Sequence, residues 1–292
     1  MPLSQTIAYL GPEGSFSHEF ALKHFGENAA LLPVNEGGFE GLIQKVAQGE
    51  VQNAIIPIFN SNGHYIENAL KALGGFIGKV TLQGCYEHEI IHNLVVNEEF
   101  QSLKVIKTKP EVYLQCKTWL SAWGNVKHID CASTSAALKE VRSTEGADRK
   151  WVGAICNRLA INHYGGIVQF SGIQNSRNFT LFAVIAAGVQ DSGGNQVLIC
   201  PTCSDEQGYR GTKRDFMAAG YEFKFGTLEG AFAPDVPLWI EFTRTSESRP
   251  LQDLLSPTRH FIGSYSLKES ISWFIAGIFS DELPVDTENQ RG

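Results

Sequence analysis

Short apolar runs alternate with longer amphipathic runs through the first part of the chain, and this alternation restricts the possible folds more than any other feature. The apolar runs are bounded by Gly, Pro or Asn and predict strands at 6–10, 54–58, 89–96, 105–108, 151–155 and 179–187. The amphipathic runs repeat apolar residues at helical spacing and predict helices at 16–25, 39–48, 110–122, 134–141 and 156–164. Such alternation is typical of α/β domains with largely parallel sheets.

The order of the predicted elements changes after a turn-rich stretch at 188–195. Strands are predicted at 196–200, 221–228, 237–244 and 260–265, and helices at 209–219 and 251–255. Strand-helix-strand-strand-helix-strand is the order of ferredoxin-like α+β domains. A terminal amphipathic helix is predicted at 267–279, and residues 283–292 are expected to form a loose tail. A length of 292 residues suits two domains, which we predict at 1–190 and 195–282.

The charge balance excludes several classes of partner. The chain has 24 Lys and Arg against 31 Asp and Glu, a formal charge of −7, and no basic block. Nucleic acid and anionic membrane surfaces are therefore not expected as partners. The longest apolar run, 181–189, is far shorter than the ~20 residues of a membrane span. The first residues contain no cationic region of a signal peptide, so we expect a cytoplasmic location.

The cysteines do not predict a metal site. Four of the six lie inside apolar segments at irregular spacing, as small buried apolar residues do, and these are Cys85, Cys116, Cys131 and Cys156. Cys200 and Cys203 form a C-P-T-C pair, but a zinc site needs two further ligands at short spacing. The next histidine along the chain is His260. We therefore expect no metal and no cofactor.

Hydroxyl and amide side chains cluster where predicted helices or strands begin. The segment GPEGSFS at 11–17 joins the first strand to the first helix, and a second hydroxyl cluster begins the helix at 134. Hydroxyls at a helix N-terminus can bind an anion such as a carboxylate, or they can serve only as helix caps. The candidate binding residues are Ser15, Ser17, Ser133, Thr134, Ser135 and Asn178, and Thr180 follows closely.

Six short motifs occur in an order that resembles the prephenate dehydratase family. They are GPEGSFS at 11–17, PIFNS at 57–61, KPEVYLQC at 109–116, STSAA at 133–137, YGG at 164–166 and NFTLF at 178–182. The resemblance covers about residues 6–188. It implies two α/β lobes like those of a type II periplasmic binding protein, the second at about 82–165, with prephenate in the cleft between them.

The resemblance also implies that residues 195–282 form a regulatory ACT-like domain, and that the chain forms a homodimer or a higher oligomer. The letters ESRP at 247–250 match the phenylalanine-binding motif of such domains. In the family this motif ends the second strand, whereas here it follows the third predicted strand. We therefore expect a degenerate ACT-like domain without a phenylalanine site.

Four positions depart from the family's motifs. Phe59 stands where the family has Glu, Leu181 where it has Arg, His64 where it has a small residue, and Lys109 where it has His. These departures resemble the prephenate decarboxylases of pathways to antibiotics and unusual amino acids. A less polar surround favours decarboxylation, and ring protonation then gives a non-aromatic dihydro-4-hydroxyphenylpyruvate. We predict that Phe59 and Leu181 determine specificity.

The resemblance and the chemistry together suggest residue roles. Thr180 is the retained catalytic hydroxyl, and His64 or His18 is the candidate ring-proton donor because histidine titrates near neutral pH. Asn60 and Ser61 join the substrate-binding candidates, and Arg177 could partly replace the missing arginine. Each histidine, and Arg177, could equally be a solvated surface residue.

Two alternative functions remain open. One is a divergent prephenate dehydratase that makes phenylpyruvate for phenylalanine synthesis. The other is a non-catalytic two-lobed sensor of a small molecule. The retained polar groups at 60–61, 133–135 and 180 count against the sensor, because a structural relic need not keep them.

Overall fold

Strand β1 (Thr6–Leu10) begins the first of two mixed α/β units into which this computed structural model divides. Unit 1 comprises Met1–Leu42, Ile55–Ile66 and Glu87–Phe182, and unit 2 comprises Ile43–Ala54, Glu67–Tyr86 and Ala183–Gly292. The structure describes residues 6–62, 64–76, 78–99, 102–188, 195–201, 206–226, 240–254 and 259–265.

The elements up to residue 89 belong to the first of two sheets and its helices. They are β1, α1 (Phe16–Phe25), β2 (Ala30–Val34), α2 (Gly38–Ala47), β3 (Asn53–Asn60), β4 (His64–Tyr65), α3 (Glu67–Gly74) and β5 (Val80–Glu89). Strand β11 (Phe179–Ala187) returns to this sheet, which contains the strand order β5-β11-β3-β1-β2, with β4 beside β3. Strands β1 and β2 run parallel. The predicted α/β alternation is therefore present here.

Helix α1 is fixed by its cap and its aromatic face. The Ser15 hydroxyl accepts from the His18 backbone N–H, which marks the helix start. Phe20 is buried and its ring stacks on that of Phe182, with 4.5 Å between centroids. Ile7 and Ile55 of the neighbouring strands complete this core.

The second sheet lies within unit 1 and has the order β10-β6-β9-β7-β8. Its elements are β6 (Asn93–Val96), β7 (Val105–Thr108), α4 (Pro110–Gln115), α5 (Lys117–Ser121), β8 (Lys127–Asp130), α6 (Thr134–Arg142), a 3-10 turn (Gly146–Lys150), β9 (Val152–Cys156), α7 (Arg158–Tyr164) and β10 (Ile167–Ser171). Strand β7 is parallel to β8 and β9, whereas β6 is antiparallel to β9 and β10. Strand β9 is buried throughout, because one apolar cluster packs on each face of this sheet.

Two predicted elements of this region are each divided in the structure. The predicted helix at 110–122 is interrupted at Cys116, because the Leu114 and Gln115 carbonyls accept hydrogen bonds from Asn175 instead of from the next helical turn. The predicted strand at 89–96 is likewise two strands, β5 and β6, joined by Ile90–His92. The Ile90 N–H donates to the Asn178 carbonyl over 2.8 Å, which anchors this crossover.

Unit 2 contains the four strands and the first helix of the predicted second arrangement, together with a 3-10 turn. They are β12 (Gln196–Pro201), α8 (Glu206–Ala218), β13 (Glu222–Gly226), β14 (Ile240–Thr243), a 3-10 turn (Leu251–Asp253) and β15 (Arg259–Tyr265). The strand order is β13-β14-β12-β15-β5, with antiparallel pairs from β13 to β15. Phe216 of α8 stacks on Phe242 of β14 at 4.7 Å, in the core of these elements. A 3-10 turn stands where a second helix was expected. The predicted helix at 267–279 and tail at 283–292 lie outside the described residues.

The structure also describes the four cysteines of the apolar segments. The four cysteines at 85, 116, 131 and 156 are buried and free, which confirms their prediction as small apolar residues. Within the described ranges, no helix combines the length and apolar character needed to span a membrane.

Candidate active site

An amide network joins the end of β3, the end of α4 and the start of β11. Asn60 Nδ2 donates to Asn178 Oδ1 over 2.9 Å and to Thr180 Oγ1 over 3.1 Å. Asn178 Nδ2 donates to Gln115 Oε1 over 2.9 Å, and Gln115 Nε2 lies 3.5 Å from Asn60 Oδ1. Because each amide uses both its donor and its acceptor, the network fixes the orientation of side chains from three distant segments.

His92 lies against this network and is almost fully buried, with 1% of its surface exposed. Its Nε2 lies 2.7 Å from Gln115 Oε1 and 3.2 Å from Asn178 Nδ2. Burial lowers the pKa of His92, although the hydrogen bond to Gln115 opposes this shift. The short contact to an amide oxygen favours the neutral tautomer with its proton on Nε2. Nδ1 then has a free lone pair, and it has no hydrogen-bond partner in the described part of the chain.

The loop after β1 holds His18 in one tautomer. The Gly14 N–H donates to His18 Nδ1 over 3.0 Å, and the His18 ring stacks on Tyr9 at 4.8 Å. Burial lowers the pKa of His18; the Glu13 carboxylate opposes this shift and His163 adds to it. A neutral His18 therefore carries its proton on Nε2, at the third residue of helix α1.

The same loop contacts the helices of the second sheet. A Cβ added at Gly14, which has φ +77°, would lie 3.0 Å from Ser135 Oγ and 3.4 Å from Ala160 Cα. A side chain would therefore be both strained and crowded there. Ser135 Oγ, at this junction, is buried and has no hydrogen-bond partner within the described residues. Asn157, the cap residue of α7, also has a buried Nδ2 without a partner there. Buried polar atoms without partners are rare in proteins, so this junction suits a polar ligand atom.

Several of the predicted binding residues have structural roles as helix caps or strand contacts. Ser15 and Ser133 are helix caps, and Ser133 Oγ accepts from the Ala136 N–H over 2.9 Å. Ser61 Oγ accepts from the Phe179 N–H over 3.0 Å, which ties the end of β3 to β11. Two more, Ser17 and Thr134, are buried in the first turns of α1 and α6.

Arg177 lies outside the network, and only the backbone of His64 is described. The Arg177 guanidinium is exposed and pairs with Glu87 at 2.7 Å, while it also lies 5.3 Å from the Phe179 ring centroid. The backbone of His64 pairs with that of Asn60 in the β3–β4 hairpin. The side chain of His64 is outside the described part of the structure.

Phe59 and Leu181 share the sheet face opposite to Asn60 and Thr180. Asn60 and Thr180 are on one face because their side chains are bonded, and successive side chains in a strand point to opposite faces. The Ser61 N–H donates to the Phe179 carbonyl, and Asn53 Nδ2 donates to the Ile185 carbonyl, so β3 and β11 run antiparallel. Counting from the Ser61–Phe179 pair places Phe59 directly across from Leu181. Both are buried, at 2% and 0% exposed.

Sequence reasoning missed His92 as a site residue and treated Gln115 only as part of a motif. His92 follows an apolar run and has no motif of its own. A weak signal for Gln115 was its place in the KPEVYLQC motif. No group of three or more His, Cys, Asp or Glu side chains suited to a metal ion occurs among the described residues.

Comparisons with known proteins agree with the motifs. The family profile described as prephenate dehydratase matches residues 7–189. A bifunctional chorismate mutase/prephenate dehydratase from Stutzerimonas stutzeri is 30% identical over 162 residues, which is 54% of this chain and 42% of the relative. The relative of the same description from Neisseria gonorrhoeae is 24% identical over 262 residues, 88% of this chain and 65% of that protein. The chain thus spans about half the length of the curated relatives it matches.

The fold is also similar to that of a solved structure. A prephenate dehydratase from Arthrobacter aurescens, in complex with L-Phe, superposes with a TM-score of 0.71 at 20% identity and covers 90% of each chain. At this identity the likeness concerns the fold alone. The profile match covers most of the chain and includes every segment of the amide network. The chain therefore belongs to the prephenate dehydratase family.

Proposed function

We propose that this protein is a carbon–carbon lyase that decarboxylates prephenate without making it aromatic. The product would be a dihydro-4-hydroxyphenylpyruvate for the synthesis of an antibiotic or an unusual amino acid. The observation that carries the proposal is the apolar pair Phe59 and Leu181, at positions where the family's motifs have Glu and Arg. The two changes face each other across β3 and β11, so this chain has lost both members of a potential ion pair together.

Substrate binding is assigned to the loop junction and the amide network. A carboxylate of prephenate would accept from Ser135 Oγ and Asn157 Nδ2, whose buried atoms otherwise have no partner in the described residues. Asn60 and Thr180 would position the ring, because their side chains are already oriented by Asn178 and Gln115.

The proposed reaction breaks the bond between the ring and one carboxylate and adds one proton to the ring. The bond from the ring to its carboxylate breaks, CO2 leaves, and the electron pair moves into the ring diene. A ring carbon takes up one proton, and the hydroxyl stays in place. His18 is our candidate donor through Nε2–H, because the Gly14 N–H bonded to Nδ1 and the start of α1 both stabilise negative charge on the ring. His64 remains the second candidate.

Phe59 and Leu181 would influence specificity through the strands that hold them rather than by direct contact with the substrate. Dehydration requires a proton donor and fixed charges near the leaving hydroxyl. Phe59 and Leu181 bring no charge to β3 and β11, the strands that carry Asn60 and Thr180. We infer that they act as positioning residues, because they lie on the face opposite to Asn60 and Thr180 and place no charge behind the site.

A divergent prephenate dehydratase is the second candidate. The retained network of Asn60, Gln115, Asn178 and Thr180 favours it, since these residues lie in motifs that the chain shares with that family. Loss of the acidic and basic positions in the same motifs counts against it. A non-catalytic sensor is the third candidate, with the same cleft and no turnover.

We extend the proposal to the chain's organisation. Residues 1–190 would form the catalytic domain, with a second lobe at about 82–165, and 195–282 a degenerate ACT-like domain. The antiparallel strands β12–β15 with helix α8 support the latter. A homodimer or higher oligomer would form.

The test uses purified protein, prephenate and mass detection of the product. Loss of prephenate with a product that has lost CO2 but kept the hydroxyl supports the decarboxylase. Clean formation of phenylpyruvate supports the dehydratase and overturns our proposal. Saturable binding of prephenate without turnover would identify the sensor.

A further inference from the structure

A polar groove of about 520 Å³ lies in unit 1 beside helix α1. Its walls include Glu19 and Lys23 of α1, His88 and Glu89 at the end of β5, and Arg158 at the start of α7. A groove of this volume is large enough for a small metabolite.

This groove is separate from the amide network. Ile91 of the β5–β6 crossover and Asn93, the first residue of β6, line it. His92, which stands between them, donates from Nε2 to Gln115 Oε1 and lies 3.2 Å from Asn178 Nδ2 of the network. Because alternate residues of an extended segment point to opposite sides, the crossover separates the two places.

His88 gives the groove a buried polar group without a partner. Only 4% of His88 is exposed, and its Nε2 has no hydrogen-bond partner in the described residues. The nearest carboxylate oxygen, on Glu19, is 3.7 Å away, which is too far for a hydrogen bond. The His88 ring is held by edge contacts to Phe20 and Phe182, at 5.7 and 6.0 Å. Its nitrogen therefore cannot easily turn to another partner.

The charges around His88 are balanced and partly unpaired. Lys23 and Arg158 are exposed, and among the described residues neither forms an ion pair or a hydrogen bond through its side chain. Glu19 and Glu89 supply two carboxylates at the same groove. Ile91, which is 41% exposed, adds an apolar surface. Two cations and two carboxylates suit a zwitterion better than a simple anion or cation.

We propose that this groove binds a free amino acid with an apolar side chain. Lys23 and Arg158 receive its carboxylate, Glu19 and Glu89 receive its ammonium group, and Ile91 contacts its side chain. His88 offers one hydrogen bond from the floor. This inference does not depend on the reaction proposed for the amide network, because binding is measured without prephenate.

The test is calorimetric titration of the full chain with L-phenylalanine and L-leucine. Hydrocinnamate and isocaproate lack the ammonium group, and phenethylamine and isoamylamine lack the carboxylate. We expect at least one amino acid to bind, and its two analogues to bind about tenfold more weakly or not at all. Equal affinity for an amino acid and its analogues, or no binding of either amino acid, would overturn the proposal.

Variants locate the binding. Lys23→Met and Arg158→Gln should each weaken it by about fivefold, whereas Lys127→Met, an exposed lysine of β8 away from the groove, should not. The ring ¹⁵N signal of His88 should shift on titration, and this readout does not require a variant. Unchanged affinity in both groove variants, with a silent His88 signal, would place the binding elsewhere and refute the assignment.

Discussion

Asn60 and Thr180 face each other across β3 and β11, with 3.1 Å between Asn60 Nδ2 and Thr180 Oγ1. The same Nδ2 also lies 2.9 Å from Asn178 Oδ1 and 3.1 Å from the Phe179 carbonyl. Thr180 is therefore not needed to satisfy the Asn60 amide. Its hydroxyl is held in place by that amide and remains available to a substrate.

Replacement of the Thr180 hydroxyl should lower kcat strongly while it changes the free energy of unfolding only slightly. Thr180→Val keeps the shape of the side chain, so we expect the free energy of unfolding to fall by only about 1 kcal/mol. We expect kcat on prephenate to fall by about a hundredfold, because a positioned hydroxyl is lost. Thr180→Ser restores the hydroxyl and should recover most of kcat. Equal turnover by the Val and Ser variants would remove Thr180 from the catalytic residues.

Ser133 and Ser135 begin the same helix and should respond in opposite ways. Ser133→Ala removes a helix cap and should lower the free energy of unfolding by about 1 kcal/mol. Ser135→Ala removes a buried hydroxyl without a described partner, so stability should be unchanged or slightly higher, while KM for prephenate should rise by about tenfold. Chemical unfolding and steady-state kinetics measure both effects. If KM rises for Ser133→Ala and not for Ser135→Ala, the assigned carboxylate site is wrong.

The pair Phe59 and Leu181 should be tested together. Leu181→Arg alone places an unpaired charge at a fully buried position and should cost about 3 kcal/mol of stability. Phe59→Glu provides the opposite charge directly across the strands, so the double variant should be more stable than Leu181→Arg alone by about 1 kcal/mol or more.

The product of the same double variant tests the specificity argument. We expect phenylpyruvate to appear among the products of Phe59→Glu/Leu181→Arg, because the two charges return to the strands that carry Asn60 and Thr180. Phe59→Leu/Leu181→Phe is the matched apolar control and should leave the product ratio unchanged. A folded, active charged double variant with the wild-type product ratio would show that selectivity depends on other residues.

His92 should contribute to the pH dependence of stability. Burial lowers its pKa in the folded state, so the unfolded chain binds the proton more readily below pH about 6.5. Above that pH both states are neutral and the contribution is complete, and it is lost progressively as the pH falls toward the folded pKa. His18 and His24 shift in the same direction for the same reason.

The measurement is urea unfolding at pH about 7.5 and about 5.5, with wild type and His92→Gln compared. We expect the free energy of unfolding to decrease toward the lower pH in both proteins, and by less in His92→Gln. Parallel decreases would mean that His92 does not remain neutral in the folded protein.

The elements with local signals were predictable, and the site was predictable only in part. Ser15 and Ser133 predicted the starts of helices α1 and α6, because a capping hydroxyl bonds to a backbone N–H within the same helical turn. The break at Cys116 was not predictable, since it depends on hydrogen bonds from Asn175, far along the chain.

The same distinction applies inside the amide network. Asn60, Asn178 and Thr180 were identified from motifs, whereas His92 has its role only because the crossover after β5 meets Gln115 in the fold. The two motif changes at 59 and 181 were visible in the sequence. Their position across from each other became clear only from the antiparallel pairing of β3 and β11.

The central claim is that the ring loses CO2 and gains a proton while it keeps its hydroxyl. The most direct measurement is the reaction of the purified protein with prephenate in D2O, followed by proton NMR and mass detection of the product. Our account predicts a non-aromatic product that retains the hydroxyl and carries one deuterium on a ring carbon. Phenylpyruvate with five aromatic protons and no deuterium on the ring would contradict it.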